Sequence, residues 1–168
     1  METPTTLSQA QIIADIFEET RKLTRFYLSK IDPAWAEWQP EADGVKLNSA
    51  YWLVAHLVWA EHALLVASMG GTTLNLPWLN HYALGSDGSL HEDRPSFSAM
   101  IAQLNEIHQY ADDFVRTLTD EQLNEPASIT AIQWNTTKRK VLYHAIRHEG
   151  THVGHLGWLC KIKGIKTI

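Results

Sequence analysis

Residues 143–156, Tyr143-His144-Ala145-Ile146-Arg147-His148-Glu149-Gly150-Thr151-His152-Val153-Gly154-His155-Leu156, hold four of the nine histidines in this 168-residue chain. On an α-helix, at roughly 100° per residue, positions 144, 148, 152 and 155 fall within an arc of about 80°. One face of one helix therefore carries four imidazoles. A packed core has little use for such a face, because buried polar groups need partners. Neutral imidazole is the commonest protein metal ligand. His148 and His152, one turn apart, are the first candidates for a metal site. The competing expectation is a solvated or hydrogen-bonded histidine face with no ion. Two ligands from one helix leave an ion under-coordinated, so a facing element must supply more.

The rest of the chain supplies helices. Thr6-Leu7-Ser8 offers an N-cap, and Ile12, Ile13, Ile16, Phe17, Leu23, Phe26, Tyr27 and Ile31 recur near helical spacing up to Pro33, predicting a first helix over about 8–31. Residues 32–46, with Trp35, Trp38 and Pro40, read as a loop containing a short helical turn. Asn48-Ser49 caps a second helix running to Gly70-Gly71. On it Trp52, His56, Trp59, Ala63 and Val66 form a stripe roughly 80° wide. His56 is thus on the apolar side, and His62, roughly 120° away, at an edge. Residues 71–95 are a long connection holding His81 and His91, read as surface residues. Pro95-Ser96 opens a third helix with Phe97, Met100, Ile101, Leu104, Ile107, Phe114 and Leu118 on its apolar side. A short capped turn follows at 119–123. The stretch 124–136 reads as irregular, ending in the cap candidate Asn135-Thr136-Thr137. The last helix covers about 138–163, with Gly164 suited to the position after its end. Four long helices, no strand and no repeat predict a single-domain, all-α four-helix bundle over residues 1–168.

Composition narrows the partners. Net charge is −5, and the densest basic run is only Lys138-Arg139-Lys140, so nucleic acid is not an expected partner. No apolar run approaches the roughly 18 residues of a membrane span. Met1-Glu2-Thr3-Pro4 has no signal-peptide pattern. A cytoplasmic location, without a membrane partner, is the expectation. The single cysteine, Cys160, reads as a small buried hydrophobe.

His56 from helix two with His148 and His152 from the last helix is the simplest ligand set. Three His plus an exchangeable position is the catalytic form of a zinc site, and such an ion lowers the pKa of a water placed there. His144 could be a fourth ligand, a second-layer partner or a core residue. His155, one turn past His152, is a candidate substrate contact. His148-Glu149-Gly150-Thr151-His152 matches the zinc-protease string H-E-x-x-H. However, no Asp or Glu follows Glu149, and the extended form wants a Gly where His155 stands. Glu149 stays a candidate base. A carboxylate-bridged di-iron bundle needs Glu-x-x-His on two helices. Glu149 and His152 give one such pair, but Glu61 has no His three residues on.

His56 within Tyr51-Trp52-Leu53-Val54-Ala55-His56-Leu57, and Leu142-Tyr143-His144 followed by His148-Glu149-Gly150-Thr151-His152-Val153-Gly154, resemble the DinB-like superfamily. So do Trp38-Gln39-Pro40 ahead of the second helix and the Asp-Glu-x-Leu turn at 120–123. The likeness runs over nearly the whole chain. It implies an up-down-down-up bundle with a long crossover and a divalent ion, zinc or nickel, on His56, His148 and His152. It further implies a thiol-dependent transferase or isomerase activity, with a low-molecular-weight thiol activated at the metal, and a homodimer. Together with the ligand set it leads to the expectation of a thiol-dependent S-transferase or hydrolase acting on a small molecule. Tyr51 joins His155 as a candidate substrate contact. The family often has His-Arg-Gly-Gln where this chain has His152-Val153-Gly154-His155. That departure leaves the ligand triad intact and bears on the substrate class. The alternative is a non-catalytic bundle that binds a metal or small ligand as a sensor or interaction module.

Overall fold

A computed structural model describes residues 6–129 and 136–168. The irregular stretch at 124–136 is therefore described only in part. The Asn135 cap candidate and the Met1–Pro4 reading lie outside the described residues.

Among the described residues five α-helices form: α1 (Gln9–Leu28), α2 (Ala50–Glu61), α3 (Phe97–Arg116), the short α4 (Asp120–Asn124) and α5 (Lys138–Ile162). Their starts follow from side-chain oxygens that satisfy the free amides of the first turn. Ser8 and Gln11 form a reciprocal capping box at α1, and Thr119 with Gln122 forms another at α4. Ser49, Ser96 and Thr137 accept from Trp52, Ala99 and Lys140 at α2, α3 and α5. Ser49 is fully buried, so water does not replace its hydroxyl. Ser49→Ala is expected to cost about 1 kcal/mol, read as a lower urea midpoint with an unchanged slope.

Contacts across the bundle fix the helix directions. Thr24 meets Glu149 and Tyr27 packs on Gly157, so α1 and α5 run parallel. Glu18 meets His108, Arg25 meets Asn105 and Asp15 meets Arg116, so α1 and α3 are antiparallel. Tyr51 lies near Phe97 and Glu61 meets His108, so α2 and α3 are parallel. The order is up-down-down-up, as expected. Parallel α2 and α3 require a connection that travels the length of the bundle, which explains the long segment between them.

Helix α2 is the core element. Every residue of it except Trp59 is buried, so the apolar stripe expected on one face extends around the whole helix. It continues through a π-helical turn, His62–Val66, and a 3-10 turn, Ala67–Met69, to Gly70 at φ 85°. Ala50–Met69 is long and apolar enough to cross a membrane by length and composition. The expectation of no such run is corrected to that extent. Here its apolar surface is taken up by the other helices.

Three further expectations shift. Helix α1 ends at Leu28 rather than Ile31. Its buried face is Ala10, Ile13, Ala14, Phe17, Arg21, Thr24, Tyr27 and Leu28, while Ile12, Ile16, Leu23 and Phe26 are exposed. The loop at 32–46 contains the expected turn at Pro33–Trp35 and also a small hairpin, Glu41–Ala42 against Val45–Lys46. Asp43 and Gly44 at its tip both have positive φ, the geometry of the Asp-Gly turn that matches strand twist.

Candidate metal centre

His56, His148 and His152 converge. Their ligand atoms all lie within 4.8 Å of one another. His148 Nε2 is 3.1 Å from His56 Nε2 and 3.2 Å from His152 Nε2. Two imidazole nitrogens bound to one ion at about 2.1 Å, with about 90–110° between the bonds, lie about 3.0–3.4 Å apart. The observed spacings match. Without a cation three nitrogens would crowd together, and a single proton on His148 can satisfy only one neighbour.

The surroundings prepare His56 as a ligand. Its Nδ1 is 2.6 Å from the Tyr82 carbonyl. A carbonyl only accepts, so Nδ1 carries the proton and Nε2 is left bare for an ion. The ring is clamped between Trp52 (centroids 4.7 Å, 10° between planes) and Trp59 (5.4 Å, 22°). Tyr82 comes from the long α2–α3 connection, so that segment closes one side of the cluster. His148 and His152 are half-buried and leave the other side accessible.

Electrostatics agrees. Burial, followed by the charge of neighbouring histidines, pushes His148 and His152 down to about 3. Burial also lowers His56, partly opposed by the bond to Tyr82. All three are therefore neutral near pH 7, the form that binds metal. An unfolded histidine takes up a proton near pH 6.5. With the ion chelated, stability is thus expected to rise with pH from about 3 to about 6.5.

The other sequence candidates fall in different places. His155 Nδ1 is 3.3 Å from His152 Nδ1 and exposed, so it borders the cluster. His144 lies beside it, with Nδ1 2.8 Å from Arg147. Tyr51 is fully buried and donates its hydroxyl to the Pro95 carbonyl at 2.6 Å. It is a core tie rather than a substrate contact. His81 and His91 stack on each other at 3.7 Å.

Glu149 also departs from its expected role. Its Oε1 accepts from Thr24 at 2.5 Å and its Oε2 from Arg21 at 2.8 Å. A carboxylate so engaged is not a free base, so that expectation is corrected. It belongs to a buried polar network that sequence reasoning missed. Arg21, fully buried, reaches Glu61 at 2.6 Å as well as Glu149. Glu61 accepts from His108 Nδ1 at 2.7 Å, and His108 Nε2 is 2.6 Å from Glu18, which pairs with Arg25 at 2.8 Å. The cation between Glu61 and Glu149 is thus a guanidinium, which agrees with setting the di-iron reading aside. With His108 protonated, Glu18, Glu61 and Glu149 balance Arg21, Arg25 and His108.

Burial works against that proton, but the hydrogen bond and charge of Glu61 outweigh it and raise the His108 pKa above its ordinary value. The resulting stabilisation is complete below pH 6.5 and is lost as pH rises through the raised folded-state value. Above about pH 7.5, where the metal-site histidines are neutral in the folded and unfolded chain alike, urea midpoints up to about pH 9 should fall for the wild type and stay flat for His108→Gln.

Residues 16–156 match the DinB superfamily. The chain belongs to the DinB superfamily. No curated protein matches it. As a DinB-superfamily chain it is similar in fold to several solved structures, among them the following three. YfiT from Bacillus subtilis, described as a probable metal-dependent hydrolase with an unusual four-helix bundle topology, has 17% identity and a TM-score of 0.68, covering 99% of this chain and 95% of its own. A conserved protein from Enterococcus faecalis has 15% identity and a TM-score of 0.66, covering 91% and 95%. The colibactin self-resistance protein ClbS, solved in complex with double-stranded DNA, has 18% identity and a TM-score of 0.61, covering 94% and 98%. At these identities the likeness carries the fold of this DinB-superfamily chain, and the site must be argued from its own residues.

Proposed function

We propose that this protein is a divalent-metal-dependent enzyme acting on a small molecule, a hydrolase in the first reading, with the ion held by His56, His148 and His152. The observation that carries the reading is the convergence of three bare or deprotonatable Nε2 atoms at ligand spacing, one locked in the right tautomer by Tyr82. A zinc or nickel ion there supplies Lewis acidity, lowering the pKa of a water or thiol and polarising a carbonyl.

The chain's own residues do the rest. Trp52 and Trp59 exclude water from one side and fix the His56 ring. The half-buried faces of His148 and His152 admit substrate. His155, exposed beside His152, contacts it. Glu149 works indirectly, tying α5 to α1 next to His148. Transfer to a low-molecular-weight thiol is the second reading, favoured by the family resemblance and using the same ion. The net charge of −5 supports a small molecule over nucleic acid. A homodimer and a cytoplasmic location belong to the same proposal and rest on resemblance and composition.

The test is turnover of activated esters and amides by zinc- or nickel-loaded protein, with and without an added thiol. Hydrolysis lost on chelation and in His152→Ala supports the first reading, and turnover only with thiol supports the second. Turnover indifferent to chelator contradicts both.

A further inference from the structure

We propose that a groove beside the three imidazoles binds an uncharged alkyl or aryl portion of the substrate, with His155 at the junction between groove and cluster. This rests on the metal-enzyme reading for its link to chemistry, but not for binding itself. The groove has a volume of about 330 Å³ and lies between the start of α2 and the end of α5, with Leu47, Asn48, Leu53, Trp158 and Ile162 among its lining residues. His155 lines it too, and its ring abuts His152. Leu53 stands one turn before His56 on α2. Groove and cluster therefore share both helices and meet at one side chain.

The chemistry of the lining selects the occupant. Trp158 is 66% exposed, Ile162 54% and Leu47 47%. Large apolar side chains gathered on a concave surface gain from an apolar ligand that removes them from water. Among the described residues that line it, His155 is the only titratable one. Among the described residues no ammonium, guanidinium or carboxylate lines the groove to pair with a charged ligand, so charge complementarity favours a neutral segment. The volume is that of a small-molecule site. The polar end of such a ligand would lie towards His155 and the ion.

The experiment titrates the full chain, metal-loaded and chelated, with the uncharged fluorophore N-phenyl-1-naphthylamine. Straight-chain alcohols from butanol to octanol then compete. Saturable binding in both forms is expected, with each added methylene improving competition about fourfold. Trp158→Ala should weaken probe binding at least tenfold, as should Ile162→Glu, which places a carboxylate in the groove. Both positions are exposed, so the fold should survive, and circular dichroism checks this. No saturable binding, no dependence on alcohol length, or unchanged affinity in both variants overturns the proposal. So does a dimer that Trp158→Ala dissociates without any probe binding, because the groove would then be covered by a second copy. Binding in a chain that takes up no metal leaves the groove standing and removes the metal-enzyme reading. Metal uptake without probe binding does the reverse.

Discussion

Arg21→Met is expected to lower the unfolding free energy by about 3–5 kcal/mol, because it leaves carboxylates buried without their cation. Arg21 is the guanidinium shared by Glu61 on α2 and Glu149 on α5. All three side chains are almost completely buried, so water does not replace the lost partner. A small domain is stable by roughly 5–15 kcal/mol, and a loss of this size takes a large part of that. Burial already raises the Glu149 carboxyl above its usual range, with Arg21 opposing it. Removing Arg21 pushes it further, so the variant should recover some stability as pH falls from neutral towards the unfolded-state carboxyl value of about 4.3 and the carboxyls protonate. The triple variant with Glu61→Gln and Glu149→Gln should regain much of the loss near neutral pH. Urea denaturation of the single and triple variants at pH 5 and pH 7.5 measures both effects. A loss under 1 kcal/mol for Arg21→Met would mean that the network is solvated and does not tie the helices together.

His148→Ala is expected to abolish tight metal binding. His148 is the central ligand, the one whose Nε2 lies within 3.2 Å of both others. Loss of an outer partner of a ligand typically costs 10–100-fold in affinity, and loss of a ligand itself should exceed 100-fold. The helices should remain. With chelator present the variant should be less sensitive to acid than the wild type, since one imidazole whose pKa burial holds at about 3 is gone. Calorimetric titration with zinc, beside circular dichroism, separates ion loss from unfolding. A folded His148→Ala protein that keeps stoichiometric ion would sink the assigned ligand set.

Much of this was legible in the sequence because helices write their contacts at fixed spacing. His148 and His152 share a face by arithmetic alone, and His56 lay on an apolar stripe that had to point inward. The directions of the helices came from resemblance, and only contacts such as Glu61 with His108 show them. The Tyr82 carbonyl that locks His56 left no trace, because a backbone oxygen is the same whatever residue carries it. The Arg21 network did leave one. Phe17, Arg21, Thr24 and Leu28 continue a buried face at three- and four-residue steps, and Glu61 interrupts an apolar run on α2. Read as an inward-facing cation and an inward-facing anion, they would have predicted a pair. Glu149 was misassigned because the H-E-x-x-H string placed it beside the ligands in sequence, whereas its side chain leaves the helix roughly 100° away from His148 and is taken up by α1. Tyr51 was also misassigned, because its hydroxyl goes to the Pro95 carbonyl, a backbone partner that leaves no mark in the sequence. The Asp43-Gly44 turn signal was present and would have predicted the hairpin.

The most direct measurement is elemental analysis of the chain purified without a histidine tag or added metal, before and after reconstitution and dialysis. The account predicts close to one zinc or nickel ion per chain, retained on dialysis. A wild-type protein that holds no ion even after reconstitution would contradict it, leaving His56, His148 and His152 as a structural cluster.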